Sequence, residues 1–178
     1  MKNKYKKAFE KVFGKDPNIE KISIDKYSKW DSLRHFDLIA NLEKEFNIEF
    51  KPNDIILVPD FICDAILIPI NQLNLKLLFY SIDSSLSPNW NCLSKTIKLK
   101  NVKAVLMIHY FGQPTNLFEF IKFSNKHDLI LIEDNAHGYG GKINGKELGS
   151  FGDIAISSPR KTLNLPTGGV LYSNHTTN

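Results

Sequence analysis

The amino-acid sequence predicts an α/β fold with a mostly parallel sheet, preceded by a short all-helical segment. In the first part, apolar residues recur at helical spacing, as Phe36, Ile39 and Leu42 do. In the second part, short β-rich runs alternate with helical stretches, and this alternation is typical of βαβ units with parallel strands. The pattern changes near Pro52. We therefore expect a helical segment over residues 1–53 and an α/β domain over residues 54–178.

The elements of the second part are assigned in chain order. IILV forms the first strand and is followed by a helical stretch over residues 60–74. KLLFYSI forms the second strand and leads into a polar segment. KAVLMIHYF and LILIE form the next two strands, with a helix over residues 116–127 between them. Asn144-Gly145 in GKINGKELG is the signal of a tight hairpin, and IAISS and GVLYS supply two further strands.

Composition excludes several classes of protein. The chain of 178 residues is 42% hydrophobic, which is enough for a packed core. Its net charge of +4 is spread without blocks of like charge, so no nucleic-acid partner is predicted. No apolar run reaches membrane-spanning length and no leader-like segment is present, so we expect a cytoplasmic protein without membrane contact. The two cysteines, Cys63 and Cys92, are interpreted as reduced thiols, and no metal site is predicted.

Asp31-Ser32-Leu33 stands at the start of an amphipathic helical stretch, SLRHFDLIANLEKEF. A serine in this place most often serves only as the helix N-cap. The stretch resembles the acyl and peptidyl carrier protein family over residues 4–55, in which the serine of Asp-Ser-Leu bears a 4′-phosphopantetheine arm. A phosphodiester at a helix N-terminus is stabilised by the free amides and the helix dipole. The resemblance implies phosphopantetheine on Ser32, with a phosphopantetheinyl transferase and acyl- or aminoacyl-loading enzymes as partners.

The second part carries several separated motifs, among them DIILVPDFICDAILIPI, LILIEDNAHGYGG and SSPRKTLNLPTGGVLYS. In order and spacing they resemble the DegT/DnrJ/EryC1/StrS family of pyridoxal-phosphate (PLP)-dependent sugar aminotransferases over residues 54–174. The resemblance implies part of an aspartate-aminotransferase-like domain of PLP fold type I. It also implies PLP as cofactor and a role in nucleotide-sugar biosynthesis.

Each candidate site residue also has an ordinary structural interpretation. Asp134 follows a strand and could be a turn former, but it matches the family's carboxylate on the cofactor's ring nitrogen, which keeps that nitrogen protonated. Lys161 could be a solvated charge, but it matches the Schiff-base lysine. His137 could be structural, but it matches the residue that lines the cofactor ring. Ser157 or Ser158 would bind the cofactor phosphate, and the choice between them stays open.

Three interpretations follow from the two resemblances. The family's phosphate cup and C-terminal domain have no counterpart in the sequence, and Cys63 stands where an aromatic ring often stacks on the cofactor. The chain is therefore a carrier protein fused to an incomplete aminotransferase-like domain, an aminotransferase acting on a keto sugar or a carrier-tethered substrate, or an inactive gene-fusion fragment. The second interpretation requires completion by a homodimer or another chain. If the two parts pack together, we expect Phe36 and Phe46 to contact the α/β part.

Overall fold

The computed structural model describes residues 50–97, 102–166 and 168–173. The elements, in chain order, are β1 (Ile55–Pro59), α1 (Asp64–Gln72), β2 (Lys76–Tyr80), α2 (Trp90–Thr96), β3 (Val102–Ile108), α3 (Leu117–His127), β4 (Ile130–Asn135), β5 (Lys142–Ile143), β6 (Lys146–Glu147), β7 (Ile154–Ser157) and β8 (Val170–Ser173). Two 3-10 turns, Tyr110–Gly112 and Pro159–Lys161, follow β3 and β7. The predicted carrier residue Ser32, with Phe36 and Phe46, lies outside the described residues.

The strands β2-β1-β3-β4-β7-β8 form one six-stranded sheet, in that spatial order. All neighbours run parallel except β7 and β8, which are antiparallel. The predicted mostly parallel sheet is therefore confirmed. Because parallel strands end at the same edge, the residues that follow β1, β3, β4 and β7 meet there, and this is where α/β folds bind ligands.

The hydrophobic core lies on both faces of the sheet. Alternating residues of β1 and β3 point to opposite faces, as in a strand that is covered on both sides. On one face, α3 contributes Leu117, Phe120 and Phe123, which recur three residues apart and are each less than 7% exposed. Burial of each such side chain stabilises the fold by about 1.5–3 kcal/mol.

Helix α2 was predicted only as a polar segment. Its core-facing side comes from Leu93, which is buried, and Trp90, whose ring lies edge-on to Phe120 at 5.0 Å between centroids. The helix begins after Asn89, whose side-chain oxygen accepts a hydrogen bond from the Cys92 amide at 3.1 Å. Two apolar residues and one cap are thus sufficient for a short helix when the sheet provides a surface to pack on.

The predicted hairpin at Asn144-Gly145 is confirmed. Strands β5 and β6 pair antiparallel on either side of it, and both turn residues have positive φ, 51° and 80°. Two consecutive positive φ values characterise the type I′ turn that Asn-Gly favours.

The described residues also bear on the cysteines, metals and membranes. Cys63 and Cys92 are both exposed and are not joined by a disulfide bond. In the described ranges, no cluster of three or more potential metal ligands occurs. None of the helices in those ranges combines the length and apolar character that a membrane crossing needs.

Candidate active site

A cleft of about 790 Å³ lies at the carboxyl edge of the sheet. Its walls are mostly apolar, and its polar side chains come from β4, β7 and the segments that follow them, and from His109 and Tyr110 after β3. All five candidate residues of the α/β part line it, together with one arginine: Asp134, His137, Ser157, Ser158, Arg160 and Lys161. The structure therefore brings together residues that are up to 27 positions apart, Asp134 and Lys161 being the outermost pair.

Asp134 enters the cleft because side chains alternate along β4. Ile132 and Asp134 line the cleft, whereas Glu133 and Asn135 are fully buried on the other face. The Ala136 amide donates a hydrogen bond to Asp134 Oδ1 at 2.9 Å.

Two opposing effects act on the Asp134 carboxyl. Burial raises its pKa and is the larger effect, while the Ala136 amide and the electrostatic influence of Lys161, His137 and His109 lower it. A cation bound close to Asp134 would therefore stabilise the ionised form of this carboxylate.

Lys161 and His137 are in contact. Lys161 Nζ lies 3.0 Å from His137 Nε2, and both side chains are exposed to the cleft. Lys161 ends the 3-10 turn after β7, and its amide donates to the Ser158 carbonyl at 3.0 Å. Because only one hydrogen fits between two nitrogens, an ammonium on Lys161 requires an unprotonated His137 Nε2. The pair can therefore hold or pass one proton.

The structure distinguishes between Ser157 and Ser158. Ser157 is fully buried beside Asn135, its β4 neighbour, and its hydroxyl accepts a hydrogen bond from Asn135 Nδ2 at 2.9 Å. The same hydroxyl bonds the Tyr172 side chain. Ser158 is half-buried, and its side chain has no such partner among the described residues. Ser158 is therefore the hydroxyl that is free to meet a ligand.

Gly138 leaves room for the Asn135 side chain, which bonds Ser157. Asn135 Nδ2 also donates to the Gly138 carbonyl at 3.2 Å, and a Cβ at Gly138 would collide with Asn135 Oδ1.

We expect Gly138→Ala to lower the free energy of unfolding by about 3 kcal/mol, since the new methyl group displaces a buried, hydrogen-bonded amide. Urea denaturation measures the loss. In an Asn135→Ala background the collision is absent, so Gly138→Ala should cost clearly less, and an equal cost there would contradict this explanation.

Two buried polar residues next to the site were not predicted. Glu133 is fully buried, and its Oε1 lies 2.8 Å from His109 Nε2. Three backbone amides, those of Gly149, Phe151 and Gly152, also donate to the Glu133 carboxylate at 2.6–2.8 Å. Burial raises the pKa of Glu133, but the hydrogen bonds from His109 and these amides outweigh it, so the pKa is lowered overall. The only sequence signal was a charged residue in an apolar strand.

The wall around Cys63 is partly aromatic. Cys63 lines the cleft and is exposed, but close to it the rings of Phe61 and Tyr110 stack at 5.6 Å between centroids. The Tyr110 hydroxyl donates to the Phe61 carbonyl at 2.6 Å. Burial, followed by the charges of Asp60 and Asp134, raises the Tyr110 pKa, so this hydroxyl stays protonated and fixed.

A model of the DegT/DnrJ/EryC1/StrS aminotransferase family matches residues 38–177. The chain belongs to this family. The match begins at residue 38, inside the segment 1–53 that was predicted to be a carrier domain. These comparisons give no support to a carrier function or to phosphopantetheine on Ser32.

Curated members of the family resemble this chain over about a third of their own length. GDP-perosamine synthase of Vibrio cholerae is 33% identical over 124 residues, which are 68% of this chain and 34% of that protein. GDP-4-keto-6-deoxy-D-mannose 3-dehydratase of Yersinia pseudotuberculosis is 28% identical over 149 residues, 83% of this chain and 36% of that one. The chain is therefore similar to one part of these enzymes.

Solved structures give the same result for the fold. A crystal structure of GDP-4-keto-6-deoxymannose-3-dehydratase with a trapped PLP-glutamate geminal diamine superposes with a TM-score of 0.69 at 26% identity. The superposition covers 97% of this chain and 44% of that one. The described α/β domain is thus part of a PLP fold type I-like domain, of the sugar aminotransferase and dehydratase kind.

The residues in the cleft fit the cofactor that the family implies. Asp134 offers a carboxylate whose ionised form needs a neighbouring cation, as a protonated pyridine nitrogen would be. Lys161 offers an accessible amine in the same cleft, and Ser158 offers a hydroxyl three residues before it.

Proposed function

We propose that this chain carries the cofactor-binding part of a PLP-dependent aminotransferase that acts on a nucleotide-linked keto sugar. The observation behind this proposal is the convergence of Asp134, His137 and Lys161 on one cleft at the carboxyl edge of a parallel sheet. The names of several relatives support the substrate class. They include an aminotransferase for a UDP-linked sugar from Acidithiobacillus ferrooxidans and one for a dTDP-linked sugar from Saccharopolyspora spinosa.

PLP, when bound, supplies an electron-withdrawing ring that stabilises negative charge on a substrate carbon. Asp134 would accept a hydrogen bond from the protonated ring nitrogen, and the resulting ion pair would offset the burial that disfavours its ionised form. Ser158 would donate its hydroxyl to the phosphate group. The Phe61 and Tyr110 rings line the same cleft.

Lys161 would act first as the covalent anchor and then as the base that moves a proton at the substrate carbon. An amine does either task only after it has lost its own proton. His137 Nε2, at 3.0 Å from Lys161 Nζ, is placed to hold that proton. Amino transfer uses the lysine in both tasks, and this favours amino transfer over dehydration as the reaction.

Arg160 suits an anionic substrate. It lines the cleft, is exposed, and forms no ion pair with an acidic side chain in the part of the chain that the structure describes. A guanidinium binds phosphate oxygens with two parallel hydrogen bonds, so Arg160 would contact the diphosphate of a nucleotide-linked sugar.

Arg160→Ala should weaken binding of a nucleoside diphosphate by about tenfold, because it removes one charge-assisted hydrogen bond of roughly 1.5 kcal/mol. Isothermal titration calorimetry measures this affinity. Lys142→Ala, a substitution on the hairpin, serves as the control.

Amino transfer is tested through its first half. The PLP-loaded protein is mixed with L-glutamate, and we expect the near-visible absorbance to fall as one equivalent of 2-oxoglutarate forms. The amino group then remains on the cofactor, which balances the exchange. Formation of 2-oxoglutarate should be lost in Lys161→Ala. A wild-type protein that binds PLP covalently at Lys161 but releases no 2-oxo acid from glutamate or from other amino donors would contradict the aminotransferase proposal.

Completion of the site by a second copy or by another chain stays a prediction. Sedimentation of the protein with and without PLP measures it. A dimer that forms or tightens with PLP is the expected result.

A further inference from the structure

We infer that the buried Glu133–His109 pair is a positioning device for Asp134 and His137, an inference that rests on the proposed function. Glu133 is adjacent to Asp134 in β4 but points to the opposite face of the sheet, where it is fully buried. It does not touch the cleft, so it is not a catalytic residue. Its effect on the site would be transmitted through the backbone that it holds.

Every acceptor site of Glu133 faces a donor. Oε1 accepts from His109 Nε2 at 2.8 Å and from the Gly149 amide at 2.6 Å. Oε2 accepts from the Phe151 and Gly152 amides, both at 2.8 Å. One carboxylate thus joins β4 to the segment after β3 and to the turn before β7. Buried networks in which every group is paired are rigid, and the loss of one member leaves the others unpaired.

His109 carries the connection to the site. Its Nδ1 accepts a hydrogen bond from the Thr115 amide at 3.2 Å, so the ring proton lies on Nε2, which donates to Glu133. Its own backbone amide donates to the Asp134 carbonyl at 2.9 Å. His109 therefore bonds the side chain of Glu133 and the main chain of the next residue, Asp134.

The turn that His109 opens also supports His137. Gly112 of this turn has φ +76°, and a Cβ there would lie 2.7 Å from the His137 carbonyl oxygen. The turn is thus packed directly on the backbone of His137. A shift of His109 would therefore move both residues that the cleft uses on the β4 side.

The closing experiment uses Glu133→Gln, which keeps the shape and changes only the charge and one acceptor. Each carboxylate oxygen of Glu133 accepts two hydrogen bonds. In either orientation of the glutamine side chain, its NH₂ group therefore replaces one of these oxygens and faces two hydrogen-bond donors. The matched control is Asp153→Asn. Asp153 Oδ2 accepts from the Leu131 amide at 2.7 Å, so it also bonds β4, but at the end of the strand away from the cleft.

The first measurement needs no cofactor. Hydrogen exchange of the peptide that spans residues 134–138 should be at least tenfold faster in Glu133→Gln than in wild type. Asp153→Asn should leave this peptide within about twofold of wild type. Equal acceleration of the peptide in both variants would show a general loss of stability and overturn the inference.

The second measurement is a double-mutant cycle on PLP affinity. Glu133→Gln should weaken PLP binding by about tenfold in the wild-type background and by clearly less in Asp134→Asn, because part of the effect passes through Asp134. An undiminished effect in the Asp134→Asn background would overturn the inference. If wild type does not bind PLP, the proposed function fails, while the exchange measurement still decides whether Glu133 positions this segment.

Discussion

Lys161→Ala should abolish covalent attachment of PLP. Wild-type protein incubated with PLP and reduced with borohydride should gain one pyridoxyl-phosphate mass on the peptide that contains Lys161, because this amine lies in the cleft and contacts a proton acceptor. The variant should gain none on that segment. Mass spectrometry of the digested protein identifies the modified residue.

The control is Lys122→Ala, since Lys122 is exposed on helix α3 and does not line the cleft. It should be labelled at Lys161 as fully as wild type. Asp134→Asn should keep the attachment but weaken PLP affinity, since the amide cannot form an ion pair with a protonated ring. Labelling spread over many surface lysines, with no preference for Lys161, would contradict the proposed cofactor site.

Glu133→Ala should lower the free energy of unfolding by roughly 3–5 kcal/mol. The substitution leaves the His109 Nε2–H and three backbone amides buried without an acceptor. Each unsatisfied buried donor costs about 1–3 kcal/mol, and water entering the cavity would offset part of the sum. Urea denaturation measures the change, with Glu119→Ala, at an exposed position of α3, as the control. A loss below about 1 kcal/mol would mean that the network contributes little.

The same residue should shape the dependence of stability on pH. The folded-state pKa of Glu133 is lowered from its ordinary value of 4.5. A lowered pKa means that the unfolded chain binds the proton more readily, so the contribution is fully present above pH 4.5 and is lost as the pH falls through the folded pKa. Glu133→Ala should therefore unfold with a shallower acid dependence below pH 4.5 than wild type. An unchanged acid dependence would assign the acid sensitivity to other carboxyls.

The sheet was predictable because its strands are apolar on both faces and its turns carry clear signals. Helix α2 was not, since within its bounds the core cluster includes Trp90 and Leu93, and two residues do not define a helical period. The assignment of residues 1–53 to a carrier domain depended on the short Asp-Ser-Leu motif. It stays a prediction for Ser32, while the family match from residue 38 onward overlaps that segment.

Within the site, Asp134, His137 and Lys161 could be named from the order of their motifs. The choice between Ser157 and Ser158 could not, because it depends on the register that pairs Asn135 with Ser157. The role of Glu133 was hidden for a different reason. Most of its partners are backbone amides of Gly149, Phe151 and Gly152, and a backbone amide has no signature in the sequence.

The partners of Glu133 also impose an order on folding during synthesis. Glu133 in strand β4 leaves the ribosome before Gly152, which lies 19 residues further along the chain. At ordinary elongation rates this delay is roughly one to four seconds. Until these amides are available, burial of the Glu133 carboxylate would leave it with too few hydrogen-bond donors. The carboxylate therefore stays hydrated, and insertion of β4 into the sheet carries a high desolvation cost. We expect a nascent chain that stops before Gly149 to leave β4 open to proteases, and one that extends past Ser157 to protect it.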